Sequence, residues 1–215
     1  MNSGLLARDV SRVAGRALLL SALAWLAACD TPVRVPGLSL AFPDTAPGFT
    51  SARPLSEAVT ILPSVDVRPG NLGREVANSG WMACKADTLR DGALPKLVDE
   101  RVSEALAKAN IFASVRTEPT APWTLATDIQ VFCSQTRGFI GRRVAGLVAM
   151  KFTLRKGDAV FWQQSYERVV TDADADYTGS FVTTVEQGMR RSMADSFRLV
   201  LRDALRQMDA AIPRA

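Results

Sequence analysis

The chain has 215 residues, 47% hydrophobic and 22% charged, a balance that suits one globular domain of ordinary size once leader and linker segments are set aside. Its formal charge of +4 is mostly N-terminal: without Arg8, Asp9, Arg12 and Arg16, 23 basic and 21 acidic side chains remain, which leaves no electrostatic footprint for nucleic acid. Histidine is absent, which excludes a Ser-His-Asp triad, a Cys-His pair and every His-containing zinc site.

Residues 1–16 carry three arginines, and residues 17–28 form an apolar run without charge. About 12 residues is too short for a permanent membrane helix, which needs roughly 20, but it suits the core of a secretory leader. The run ends in Leu26-Ala27-Ala28-Cys29. This looks like the lipobox of bacterial lipoproteins, in which the cysteine thiol receives a diacylglycerol, the leader is cut before it and the new amine is acylated, commonly with palmitate. The resemblance implies residues 1–28 as signal peptide, Cys29 as the lipidation site and the periplasmic face of the cell envelope as location. No Arg-Arg pair stands in the leader, so the general secretory route is expected. Asp30 resembles an inner-membrane retention signal of enteric bacteria; that rule varies between lineages, and the choice of membrane stays open.

Residues 29–56 contain Pro32, Pro36, Pro43, Pro47 and Pro54, which disfavour helix and central strand. They read as the lipidated N-terminus and a tether; at about 3.1 Å per residue, residues 30–56 would reach roughly 80 Å. A single periplasmic domain is expected over 57–215.

Ala58–Arg68 alternates, with Val59, Ile61, Val65 and Val67 on one face of a predicted strand in which Pro63 suggests an edge or a bulge. Residues 69–92 read as a long loop containing Trp81, Met82 and Cys84. Leu94, Leu97, Val98, Val102, Ala105 and Leu106 predict a helix over about 93–110, followed by a short strand near Ala113–Thr117. Pro119–Pro122 is a turn, and Trp123–Cys133 a strand of about 12 residues. Two alternating runs, Val148–Arg155 and Val160–Tyr166, flank Lys156-Gly157-Asp158 as a β-hairpin. The stripe Val182, Val185, Met189, Met193, Phe197, Val200, Ala204 and Met208 predicts a closing helix over about 180–208. The order β-α-β-β-β-β-α predicts an α+β domain: an antiparallel sheet of four to five strands with two helices on one face.

Cys84 and Cys133 are the cysteines left after lipidation, and export to an oxidising compartment makes them an expected disulfide. Asp172, Asp174 and Asp176 have the spacing of a calcium loop, but Tyr177 and Thr183 stand where its glycine and glutamate belong, so no metal or other cofactor is expected. Arg137, Phe139, Ile140, Arg142 and Arg143 form a basic, apolar-tipped segment that could contact headgroups or a partner. No constellation of nucleophile and base is visible, so a non-catalytic module is expected.

With Val59-Thr60-Ile61, Asp66-Val67-Arg68 and the lipobox leader, the layout of residues 57–209 resembles the YajG-type lipoproteins of Gram-negative envelopes. That resemblance implies a non-catalytic periplasmic domain and contributes no catalytic residues; the Cys84/Cys133 pair and the long loop depart from it. Auxiliary lipoproteins of ABC-type lipid transporters have a similar layout, and the tether also fits a peptidoglycan- or synthase-associated lipoprotein. All three readings imply membrane attachment through lipid, with an envelope protein or lipid as partner.

Overall fold

The computed structural model describes residues 48–68, 94–118, 120–137, 143–171 and 181–213, with side chains except at 135–137, 143 and 181–187. The elements in chain order are β1 (Leu55–Ile61), β2 (Val65–Asp66), α1 (Leu94–Ala109), β3 (Phe112–Arg116), β4 (Trp123–Arg137), β5 (Arg143–Lys156), β6 (Ala159–Thr171) and α2 (Phe181–Ala211). The sheet order is β3-β1-β4-β5-β6, with β2 paired to β4 beyond the end of β1.

The fold is α+β, but the sheet is mixed rather than antiparallel. β1 runs parallel to both β3 and β4, and β2 is parallel to β4, while β4-β5-β6 is an antiparallel meander. The six strands follow the order β-β-α-β-β-β-β-α. Pro63 is the reason for the extra element. Its missing N–H ends β1 instead of marking an edge, and β1 lies between two neighbours. The chain then resumes as β2, held by Leu62 N–H to the Leu125 carbonyl (2.9 Å) and Val67 N–H to the Ile129 carbonyl (3.0 Å). The expected single face of Val59, Ile61, Val65 and Val67 is split accordingly: the first two are buried, whereas Val65 and Val67 are 54% and 49% exposed.

The expected turn at Pro119–Pro122 does not reverse the chain. β3 ends beside Thr60, and β4 starts on the other side of β1 in the same direction, with Thr60 paired to both Arg116 and Thr124. The connection therefore crosses β1 at Thr60. The buried Thr60 hydroxyl donates to the Glu118 carbonyl (2.8 Å) and accepts from Ala121 N–H (3.4 Å), pinning the crossing.

α1 has Pro95 in its first turn, where no N–H is needed, and buries Leu94, Val98, Val102, Ala105, Leu106 and Ala109 at helical spacing. It stops at Asn110, whose φ of 52° reverses the backbone while its N–H reaches the Leu106 carbonyl (3.1 Å). α2 buries Met193, Phe197, Val200, Ala204 and Met208 of the expected stripe. Both helices share one core with Val59, Ile61, Leu125, Ile129, Met150 and Phe152, so they cover the same sheet face. α2 lies hard against β5 at Gly146, where a Cβ would stand 2.3 Å from the Met193 nitrogen, and Ser196 Oγ donates to the Gly146 carbonyl (2.7 Å).

Candidate functional site

Parallel pairing gives the sheet two poles. The N-terminal segment joins at one of them: Ser51 N–H donates to the Ala109 carbonyl (2.7 Å), Leu55 N–H to the Ile111 carbonyl (2.8 Å), and the Arg206 guanidinium lies over the Phe49 ring at 5.7 Å. β4 starts level with Val59 and continues in the direction of β1 for 15 residues, a span of roughly 46 Å. The β4–β5 hairpin thus ends at the opposite pole, where Arg137 pairs with Arg143 in register. Phe139, Ile140 and Arg142, the rest of the expected contact segment, lie outside the described residues.

Cys133 sits near that second pole, paired with Leu147. Its neighbour Phe132 packs edge-on against Phe197 of α2 (5.5 Å), so alternation turns Cys133 to the sheet face away from the helices, where it is 2% exposed. Its sulfur is engaged rather than free. Cys84 and Cys29 lie outside the described residues, as do Asp172, Asp174 and Asp176. Among the described residues no group of three ligating side chains could hold a metal ion, and no helix is long and apolar enough to cross a membrane.

Three polar clusters tie the elements together. On the α2 side, Asp203 accepts from Arg168 Nε (2.9 Å) and Arg202 Nε (3.0 Å), while the Tyr166 hydroxyl donates to Gln207 Oε1 (2.8 Å). Partial burial would raise the Asp203 carboxyl, but the Arg202 and Arg168 hydrogen bonds outweigh it and hold it below its ordinary value. Tyr166 is pushed up to about 12 by burial and by the Asp203 charge. At the first pole, Trp123 Nε1–H donates to Glu57 Oε2 (2.5 Å) and Lys156 Nζ approaches the same oxygen (3.2 Å); both lower the Glu57 carboxyl. Lys156 Nζ also lies 4.9 Å from the Trp123 ring centroid, and Phe161 meets that ring edge-on at 5.1 Å. Between β1 and β2, Asp99 accepts from the Ser64 N–H (2.9 Å) and hydroxyl (2.5 Å), fastening the Pro63 break to α1. The first cluster joins β6 to α2, the second joins β1, β4, β5 and β6, and the third joins the β1–β2 link to α1.

The layer between sheet and helices contains Phe132, Phe152, Met193, Phe197, Leu201 and Leu205, all fully buried. The surface feature that sequence reading missed is β6. Val160, Phe161 and Val169 are 50%, 37% and 52% exposed on an outermost strand. Its alternation was legible, but its edge position depends on the crossing at Thr60, which leaves β4, β5 and β6 running out in one direction.

No family model matches the chain, and no curated protein does. Among solved structures it is similar to protein XCC0632 from Xanthomonas campestris, of family DUF330, at 12% identity and a TM-score of 0.49, covering 80% of this chain and 94% of that one. It is similar to PelC from Paraburkholderia phytofirmans, solved as a dodecamer, at 12% identity and a TM-score of 0.45, covering 78% and 95%. It is also similar to lipoprotein GNA1162 from Neisseria meningitidis, at 11% identity and a TM-score of 0.28, covering 73% and 99%.

Proposed function

We propose that this chain is a lipid-anchored lipoprotein of the bacterial envelope whose folded part is a non-catalytic binding or adaptor module. The observation that carries the proposal is Cys29, placed directly after Leu26-Ala27-Ala28 at the end of a charge-free run behind a basic N-terminus. Each buried CH₂ contributes roughly 0.8 kcal/mol, so two or three acyl chains would hold the protein on a membrane almost permanently. Residues 30–47 separate that anchor from the chain that packs at Gly48–Leu55, and they could extend roughly 56 Å at about 3.1 Å per residue.

The two poles sharpen the adaptor reading. The segment Gly48–Leu55 joins at one and the Arg137/Arg143 end of the hairpin leaves from the other, so the proposed contact end stands apart from the point where the N-terminal segment enters the sheet. The proposed Cys84–Cys133 disulfide is supported by the engaged, buried sulfur of Cys133. It would close a loop of about 50 residues and contribute up to roughly 4 kcal/mol in the chain-entropy model.

Cys29→Ser tests the anchor. The variant is expected to lose acyl label and leave the membrane fraction; retention in the membrane without label would overturn the proposal. A photo-crosslinker in place of Arg143 tests the adaptor: an adduct with an envelope protein is expected, and adducts with lipid alone would refute it.

A further inference from the structure

Long, flat, apolar strand edges are templates for pairing with another chain, and proteins ordinarily blunt them with proline, outward charge or brevity. The two edges of this sheet differ in that respect. β3 has five residues, whereas β6 has 13 with no proline and, among the described residues, no neighbour beyond it. Three of the five large hydrophobic side chains that stand exposed among the described residues lie on β6.

We infer that β6 is a self-association surface, which pairs antiparallel with β6 of a second copy about Ser165. The strand, Ala159-Val-Phe-Trp-Gln-Gln-Ser-Tyr-Glu-Arg-Val-Val-Thr171, is apolar at both ends and polar at its centre. Antiparallel pairing about Ser165 sets the bulged Val160–Phe161 end of one copy against Val169 and Val170 of the other, twice by symmetry. Gln163 then meets Glu167, and Trp162 meets Arg168, a pairing of cation and ring. Parallel pairing in register would instead place Glu167 on Glu167 and Arg168 on Arg168, which is unfavourable for directly opposed like charges. Arg168 forms an ion pair with Asp203 of α2 on the same molecule, which holds its side chain toward the helix face of the strand. Only an antiparallel second copy matches apolar to apolar and avoids like-charge contact. The interface is isologous and closes as a dimer, so the edge is consumed rather than propagated.

The test is cysteine crosslinking of the full chain in its native membrane. Antiparallel pairing about Ser165 brings the two residue-165 Cβ atoms to about 5 Å, while those of residue 167 stand four residues out of register, roughly 13 Å apart along the strand. Under mild oxidation Ser165→Cys is expected to give a covalent homodimer at least tenfold above the parent chain, Glu167→Cys and Ser114→Cys on the β3 edge only background. Adding Val169→Lys to Ser165→Cys is expected to abolish the dimer without lowering the melting temperature of the domain by more than a few degrees. Equal dimer yields from residues 165 and 114 would show collision rather than pairing and overturn the inference. So would absence of dimer from Ser165→Cys, an adduct with a different protein alone, or persistence of the dimer in the Val169→Lys background.

Discussion

The two halves of the sheet are fixed by different contacts. Under α2, the antiparallel half brings helix and strand backbones together at Gly146, with Ser196 Oγ on the Gly146 carbonyl and Phe197 driven edge-on into Phe132. In the parallel half, side-chain hydrogen bonds fix two breaks in the chain: Ser64 at the Pro63 break to Asp99 of α1, and Thr60 to the crossing segment. The first arrangement is sensitive to added volume at Gly146. The second also depends on hydrogen-bonding partners at the breaks in the chain. Close packing and polar satisfaction thus both act as constraints within one layer.

Substitutions that distinguish the halves follow in order of expected size. Phe197→Ala removes a fully buried ring between α2 and β4 and should cost about 3–5 kcal/mol in urea unfolding. A cost under about 1 kcal/mol would mean that α2 settles freely, contrary to the rigid contact at Gly146. Gly146→Ala should cost toward the upper end of the roughly 1–3 kcal/mol typical of overpacking, because backbone atoms of Ser192 and Met193 must move. Gly157, with φ +56° and open space around it, serves as the contrast: Gly157→Asn should change the melting temperature little. In the parallel half, Thr60→Val keeps the volume and removes the hydroxyl, leaving the Glu118 carbonyl without that donor; a cost of about 1–3 kcal/mol is expected. Equal tolerance of Thr60→Val and Gly157→Asn would dissolve the contrast between the halves.

The smallest effect concerns pH. Asp203 under α2 and Asp66 beside Arg68 both have carboxyls held below the ordinary 3.8, Asp66 chiefly by hydrogen bonds from Arg68 and Asp203 by its two arginines against partial burial. A carboxyl lowered in the folded state contributes stability that is fully present above its unfolded value and lost as pH falls through the folded one. Stability should therefore decline from just above pH 4 downward, with Asp203→Asn flattening part of that acid limb. An unchanged limb in urea titrations from pH 5 to pH 2.5 would show that the Arg168 and Arg202 bonds carry no linkage.

Legibility in the sequence followed the same division. The β5–β6 hairpin, its Gly157 turn and both helices were readable because their pairing is local and each buries one face, giving the periods of 2 and 3.6. The parallel half was not. β1, β3 and β4 become neighbours only through a crossing whose signal, a threonine placed to hold the 118–121 segment, has no pattern in one dimension. The upper part of β4–β5 was missed for another reason. Cys133, Ala145 and Ala149 are buried on the face opposite Phe132 and Val148, so the alternation that marks a half-covered strand is lost. Of the proposed site residues, Cys29 was singled out from the run before it alone, and Arg137 and Arg143 without the knowledge that they pair in register across neighbouring strands. The exposed edge at Val160, Phe161 and Val169 needed the topology to be seen.

The position of β1 has a mechanical consequence. The first described residues, Gly48 to Arg53, lead straight into a strand that lies in the middle of the sheet with parallel partners on both sides. Tension transmitted through them along the strand loads the β1–β3 and β1–β4 ladders together and in shear. Peeling them one bond at a time would require a pull across the strand, a direction resisted by the Ser51 contact with Ala109. A chain drawn by its N-terminus is thus gripped on both sides of β1, and β5 and β6, which do not pair with β1, lie beyond the two ladders that take the first load.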